Sequence, residues 1–165
     1  MTQKTISTII NVCGYDELSE QDRHLIDVAK EATARSYAPY SKFHVGAALL
    51  MDNGEIVAGS NQENAAFSSG TCAERSACFY AASQYPGVPI RKIAIAAWTR
   101  LHHNERDSDE LCFQGKPISP CGSCRQALLE YEALYGPIEV LLYGRDEVYV
   151  LPSVSSLMPL SFTEF

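Results

Sequence analysis

Residues 91–98 read RKIAIAAW, a basic pair followed by six residues with no polar side chain except the Trp98 indole. A strand with one face in water alternates apolar and polar residues, and this one does not. The pattern predicts a strand in the middle of a sheet with structure packed on both faces.

The segments on either side extend that reading. Downstream, residues 121–135 predict a helix closed by Gly136-Pro137. IEVLLYG (138–144) reads as a second buried strand and EVYVL (147–151) as a further one. Upstream, residues 72–84 are Ala-rich and helix-compatible, and Pro86-Gly87 stops them. In VGAALLMDNGEIVAGS (45–60) two apolar runs flank Asn53-Gly54, the strongest short hairpin signal. Ser19 with Asp22 resembles a capping box, and Leu25, Val28, Ala29 and Ala32 follow at helical spacing, ending before Ala38-Pro39. Residues 5–13 are rich in Thr, Ser, Ile and Val and predict a strand. A hairpin followed by alternating strands and helices is an α/β layered domain with a mixed sheet.

The chain has 165 residues, 46% of them apolar and 20% charged, which suits one globular domain. Its 13 basic and 20 acidic residues give a net charge of −7. Binding to nucleic acid or an anionic membrane relies on Lys and Arg, so the balance favours a small-molecule partner over either. The first residues carry no long apolar core of a secretory leader, and no apolar run approaches a bilayer span. A cytoplasmic protein is expected, with its six cysteines reduced. Metal binding or catalysis is then a better use for them than disulfides.

SPCGSCR (119–125) places Cys121 and Cys124 three positions apart. This spacing serves zinc, and it also serves thioredoxin-like redox sites. TCAERSA (71–77) offers a third sulfur, Cys72, at a predicted helix start, as Cys121 is. Helix N-termini favour thiolates through their unpaired N–H groups and macrodipole. Three thiolates on Zn²⁺ leave a charge of −1, which two helix N-termini, Arg75 and Arg125 are placed to offset. Glu74, two positions after Cys72, can lie beside the metal without binding it. Cys-x-Glu followed by Pro-Cys-x2-Cys is the general signature of zinc-dependent base deaminases.

With FHVGAALL (43–50), NQEN (61–64), TCAERSA (71–77) and SPCGSCRQALLE (119–130), the chain resembles the cytidine deaminase family from about Phe43 through Glu132. The resemblance implies a three-layer α/β/α sandwich around a five-stranded mixed sheet. It implies one Zn²⁺ per subunit on Cys72, Cys121 and Cys124, with Glu74 as the proton shuttle. Phe43 would flank the nucleoside, and Asn61 and Glu63 would hydrogen-bond the ribose hydroxyls. The backbone at Ala73 would contact the base, and that at Ser119 the departing amino group. Phe162, in a loosely matching C-terminal LMPLSF (157–162), would approach a neighbouring subunit's site. The implied activity is hydrolytic deamination of cytidine or deoxycytidine, in pyrimidine salvage, by a homotetramer.

The sequence departs from that family in two places. Cys72 and Cys121 are 49 positions apart, a longer gap than usual, and the surplus falls in HHNERDSDELCFQGKP (102–117). This stretch reads as one inserted loop, and residues 1–18 as an N-terminal extension, within a single domain spanning 1–165. Cys78 and Cys13 read as packing residues, and Cys112 has no assigned role. His102 and His103 read as solvated, His24 as a surface residue, and His44 as either a substrate contact or a structural group. Competing functions are deamination of another aminopyrimidine, such as a blasticidin-type nucleoside, and a zinc-stabilised binding module without turnover. The module requires a fourth protein ligand. A thiol-redox protein would need neither Cys72 nor Glu74.

Overall fold

The computed structural model describes residues 1–99 and 112–163. The expected hairpin is present as β2 (Phe43–Met51) and β3 (Ile56–Ser60), paired antiparallel. Gly54 sits at φ 86°, a conformation open to glycine at little steric expense, and the Asn53 side chain accepts the Glu55 N–H at 3.1 Å. The opening RKIAIAAW segment lies in β4 (Ile90–Thr99), antiparallel to β2 and parallel to β5 (Glu139–Tyr143). β6 (Val148–Leu151) runs antiparallel to β5, and β1 (Asn11–Cys13) antiparallel to β6.

The sheet is therefore mixed and six-stranded, in the order β1-β6-β5-β4-β2-β3. It has one strand more than the resemblance implied. The addition is β1, from the segment expected to be an extension. Only residues 11–13 of the predicted strand 5–13 pair, because β6 offers four residues of edge.

Among the described residues three helices cover the sheet: α1 (Glu20–Ala32), α2 (Ala73–Gln84) and α3 (Gly122–Tyr135). The Ser19 hydroxyl caps α1, accepting the Asp22 N–H at 3.1 Å. On one face, Leu25, Ile26 and Ala29 of α1 pack with Ala48, Ala94, Ala96 and Leu141. On the other, Ala77, Cys78 and Ala81 of α2 and Leu128 and Leu129 of α3 pack with Leu49, Ile93, Ile95 and Val140. Successive residues of β4 thus enter opposite cores, which is why the run lacks polar positions. The result is the expected three-layer α/β/α arrangement.

Gly59 lets α2 lie close on β3. A β-carbon there would stand 2.5 Å from the Ala77 nitrogen and 2.7 Å from the Ala73 carbonyl oxygen. Cys78 is fully buried, and burial pushes its thiol up to about 12, as a packing cysteine requires. His24 is exposed.

Of the expected loop 102–117, the part containing His102 and His103 lies outside the described residues. Its last residues are not a free loop. Cys112 and Phe113 are buried. The Gln114 N–H donates to the Ala97 carbonyl at 3.0 Å, and the Asp146 N–H to that of Gly115 at 2.9 Å. Open backbone positions beside Trp98 and after β5 give this stretch its partners. No helix among the described residues is long and apolar enough to cross a membrane.

Candidate functional site

Cys72 is the N-cap residue of α2 and Cys121 that of α3, both in extended backbone conformation. Neither sulfur caps its own helix, and the two face each other at 3.8 Å. Cys124, in the first turn of α3, places its sulfur 3.4 Å from that of Cys121. All three sulfurs lie within 4.8 Å of one another. A tetrahedral zinc–thiolate site with Zn–S near 2.3 Å has sulfur–sulfur edges of about 3.8 Å. The chain's own geometry therefore fits zinc. Among the described residues no fourth His, Cys, Asp or Glu atom joins the group.

The electrostatics also call for a cation. The Cys72 thiol is brought down to about 5, first by its hydrogen bond with Cys124 and next by Arg75, against the effect of burial. Cys124 is pushed the other way by the same bond to Cys72, by burial and by the Glu74 charge. One thiolate forms readily and the next is resisted, and a bound divalent ion would favour deprotonation of all three. Arg75 lies against two of the sulfurs. Hydrogen bonds to Cys72 and Cys124 hold it charged, and its Nε is buried without a partner.

Arg125 makes its hydrogen bonds elsewhere. Its Nε donates to the Pro120 carbonyl at 2.8 Å, one terminal nitrogen to the Leu157 carbonyl at 2.7 Å, and the other to the Ser119 hydroxyl at 2.8 Å. Its planar fork matches these neutral oxygens, so it ties backbone together and makes no hydrogen bond to sulfur.

Glu74 is only 4% exposed. Burial raises its pKa, the Cys72 charge adds to the shift, and its own N–H and the Cys124 thiol oppose it. A buried carboxyl group held towards neutrality beside a metal site is equipped to take and return a proton.

A cavity of about 520 Å³ opens beside the sulfurs, with Tyr40, Asn61, Glu63 and Phe67 on its wall and Cys72 at its end. The Asn61 side-chain oxygen accepts from Val45 N–H at 2.8 Å and from the Ser36 hydroxyl, and its Nδ2 donates to the Phe43 carbonyl at 2.9 Å. One amide N–H is left for a ligand. Glu63 accepts the Tyr40 N–H at 2.8 Å and the Ser41 N–H at 3.3 Å. Its carboxyl is held below the usual value, first by Ser41.

Phe43 is half-buried at the start of β2, and Ala73 is buried at the start of α2. Ser119 is exposed one position before Pro120. Phe162 is 64% exposed, and its carbonyl accepts from Gln126 at 2.9 Å. His44 of β2 stacks on its cross-strand partner Trp98 of β4 with ring centroids 4.4 Å apart, and neither lines the cavity. That favours the structural one of its two readings.

Tyr40 and Phe67, an edge-to-face pair 6.1 Å apart, are cavity residues that sequence reasoning missed. Nine unpatterned tyrosines hid Tyr40. Its place in APYSKF, beside the first motif, was the available signal.

The family model for the cytidine and deoxycytidylate deaminase zinc-binding region matches residues 19–135. A cytidine deaminase of Sporosarcina psychrophila is 38% identical over 141 residues, 85% of this chain and 90% of its own. A blasticidin-S deaminase of Bacillus cereus is 30% identical over 157 residues, 88% of this chain and 95% of its own. The crystal structure of a cytidine deaminase from Burkholderia pseudomallei aligns with a TM-score of 0.68 at 36% identity, covering 88% of this chain and 100% of that one. The matched region holds all three sulfurs and Glu74, and the chain belongs to the cytidine and deoxycytidylate deaminase family.

Proposed function

We propose that this chain deaminates cytidine or deoxycytidine hydrolytically, giving the uridine form and ammonia, with one zinc ion on Cys72, Cys121 and Cys124. The observation that carries this reading is the buried Glu74 beside a group of three sulfurs that, among the described residues, no fourth protein ligand joins. A purely structural zinc module takes four protein ligands. When bound, zinc supplies Lewis acidity that brings the pKa of a ligated water towards ~7.

The remaining roles belong to the chain. Glu74 accepts a proton from the attacking water and passes it to N3 of the base as the C4–O bond forms. Glu74 then takes the proton of the new C4 hydroxyl and delivers it to the amino group, so that C4=O forms as the C4–N bond breaks and ammonia leaves. Ala73 meets the base through its backbone, as Ser119 does the departing amine. Phe43 flanks the nucleoside. Asn61, with its remaining N–H, and Glu63, with its unused acceptor capacity, hold the ribose hydroxyls. Phe162, exposed in one chain, completes a neighbouring subunit's site in a homotetramer. The protein acts in the cytoplasm in pyrimidine salvage, without nucleic acid or membrane as partner, which its net charge of −7 supports.

The similarity to a blasticidin-S deaminase favours one second reading, deamination of that nucleoside. Glu63 at the cavity wall weighs against it, since a carboxylate suits ribose hydroxyls.

Zinc analysis, ammonia release and ultraviolet absorbance with cytidine, deoxycytidine and blasticidin S test the proposal together. The expected result is a spectral change with stoichiometric ammonia for the first two, lost on chelation. A zinc-loaded chain that binds cytidine without releasing ammonia would overturn it.

A further inference from the structure

Beyond β6 the chain does not trail away. It turns back along α3, and both ends of that helix hold it. At the C-terminal end, Glu132 accepts the Val154 N–H at 2.7 Å and the Ser155 N–H at 2.9 Å. At the N-terminal end, Arg125 donates to the Leu157 carbonyl at 2.7 Å. Residues between these points fold on themselves, with Leu157 N–H donating to Val154 at 2.9 Å and Met158 N–H to Ser155 at 3.0 Å. Val154 is fully buried, and Leu157 and Met158 pack against the same core as α2 and α3.

Arg125 does more than fasten this segment. The same planar group reaches Pro120 and Ser119, the two residues immediately before Cys121. Its backbone N–H also donates to the Cys121 carbonyl at 2.9 Å. One side chain thus fixes, by three donations of 2.7–2.8 Å, where the C-terminal segment lies and where the chain enters the Cys121 position. Lysine, with a single point of donation, has no equivalent fork. Cys121 is the exposed member of the three.

We propose that Arg125 is a positioning residue that couples the C-terminal segment 153–158 to the 119–121 loop, so that this segment braces the most exposed sulfur. The proposal rests on the zinc-site reading, but not on the identity of the substrate. Groups that orient metal ligands from behind typically change metal affinity or activity by about 10–100-fold when removed.

The test uses the full-length zinc-loaded protein and Arg125→Gln, Arg125→Lys, Glu132→Gln and the Arg125→Gln/Glu132→Gln pair. The readouts are zinc loss to a colorimetric chelator, amide hydrogen exchange, and kcat and KM for cytidine. In Arg125→Gln, zinc loss should accelerate about 10–100-fold. Exchange should rise together in 119–124 and 153–158, and kcat should fall with KM within about twofold. Arg125→Lys should fall between parent and Arg125→Gln. Glu132→Gln touches no sulfur, yet should also accelerate zinc loss, and the pair should be no faster than Arg125→Gln alone. If Arg125→Gln does not fold, the Lys and Glu132 variants carry the same comparison. The proposal is overturned if zinc loss in Arg125→Gln stays within twofold of the parent. It is equally overturned if Glu132→Gln leaves exchange in 119–124 unchanged, or if the two effects multiply. A parent without deaminase activity would sink the functional reading, while zinc loss and exchange would still judge the brace.

Discussion

The sulfur of Cys72 lies 3.8 Å from that of Cys121 across 49 residues of chain. The two meet because each is the N-cap of a helix, and both helices pack on the same face of one sheet. Strand order and helix starts therefore build the site before any metal is considered, and two helix N-termini point at the place where thiolate charge must collect.

Zinc content checks this directly. The purified chain should carry one zinc, and Cys72→Ser, Cys121→Ser and Cys124→Ser should each lose it at chelator concentrations the parent withstands. Cys78→Ala should keep it, because Cys78 is fully buried in the core. Atomic absorption after dialysis gives the answer, and a Cys72→Ser chain with full zinc would remove Cys72 from the ligand set.

Glu74→Gln separates metal binding from proton transfer. The amide keeps the shape of the side chain and cannot shuttle a proton. Zinc should stay bound, and kcat should fall by about 10²–10⁴-fold or more, the range of general acid–base catalysis. Steady-state assays on zinc-quantified protein decide it, since activity within tenfold of the parent leaves Glu74 without its role.

Much of this was legible in the chain itself. Periodicity found the hairpin at Asn53-Gly54, the buried β4 and the three helices, because each is decided by local pattern. The Cys-x-Glu and Pro-Cys-x2-Cys spacings pointed to the sulfurs and to Glu74. Long-range pairing was less visible. Whether residues 5–13 form a strand depends on how much edge β6 offers, and that is written at residues 148–151. Arg125 was read by its charge, whereas its partners are two backbone carbonyls and the Ser119 hydroxyl, which its own identity does not announce. The described end of the 102–117 segment appeared polar and aperiodic, yet Gln114 bonds to Ala97 of β4 and Gly115 to Asp146 after β5. Tyr40 and Phe67 meet although the whole β2–β3 hairpin separates them in sequence.

Gly59→Ala should loosen the site from below. Its β-carbon would press on the Ala73 carbonyl and the Ala77 nitrogen, at 2.7 and 2.5 Å. Backbone cannot swing aside as a side chain can, so α2 must shift, carrying Cys72 and Glu74 with it. Overpacking of this kind costs about 1–3 kcal/mol. Urea unfolding should show that loss, and zinc affinity should fall with it. Unchanged stability would mean that α2 rides less tightly on β3 than these distances require.

Acid should weaken the protein partly through His44. Burial is the main cause that holds its pKa below the ordinary value, with Lys42 acting the same way and Glu63 against it. The ordinary value is about 6.5. Below it, the unfolded chain binds a proton that the folded chain resists, so stability present above about pH 6.5 is lost as pH falls through the folded pKa. His44→Phe keeps a ring against Trp98 and removes the titration. Melting temperatures at pH 7.5 and 5.0 should converge more in this variant than in the parent, and an equal drop in both would clear His44 of the effect.

Glu132 is the buried carboxylate with the most backbone to hold. It accepts the Ile138 N–H at 2.9 Å, Val154 at 2.7 Å and Ser155 at 2.9 Å, joining the end of α3, the entry to β5 and the C-terminal segment. It is 9% exposed, so water cannot replace these bonds freely. Glu132→Gln keeps one oxygen but turns an NH₂ towards backbone donors. Hydrogen bonds to charged groups contribute about 1.5–3 kcal/mol each, and leaving one buried donor unmet adds a penalty of similar size. A loss of about 2–4 kcal/mol is expected, which for a chain of this length lowers the melting temperature by roughly 5–15 °C. Calorimetry of the zinc-loaded variant measures it. A shift of under about 2 °C would show that the three N–H groups find other acceptors, and that the C-terminal segment is held by its apolar contacts alone.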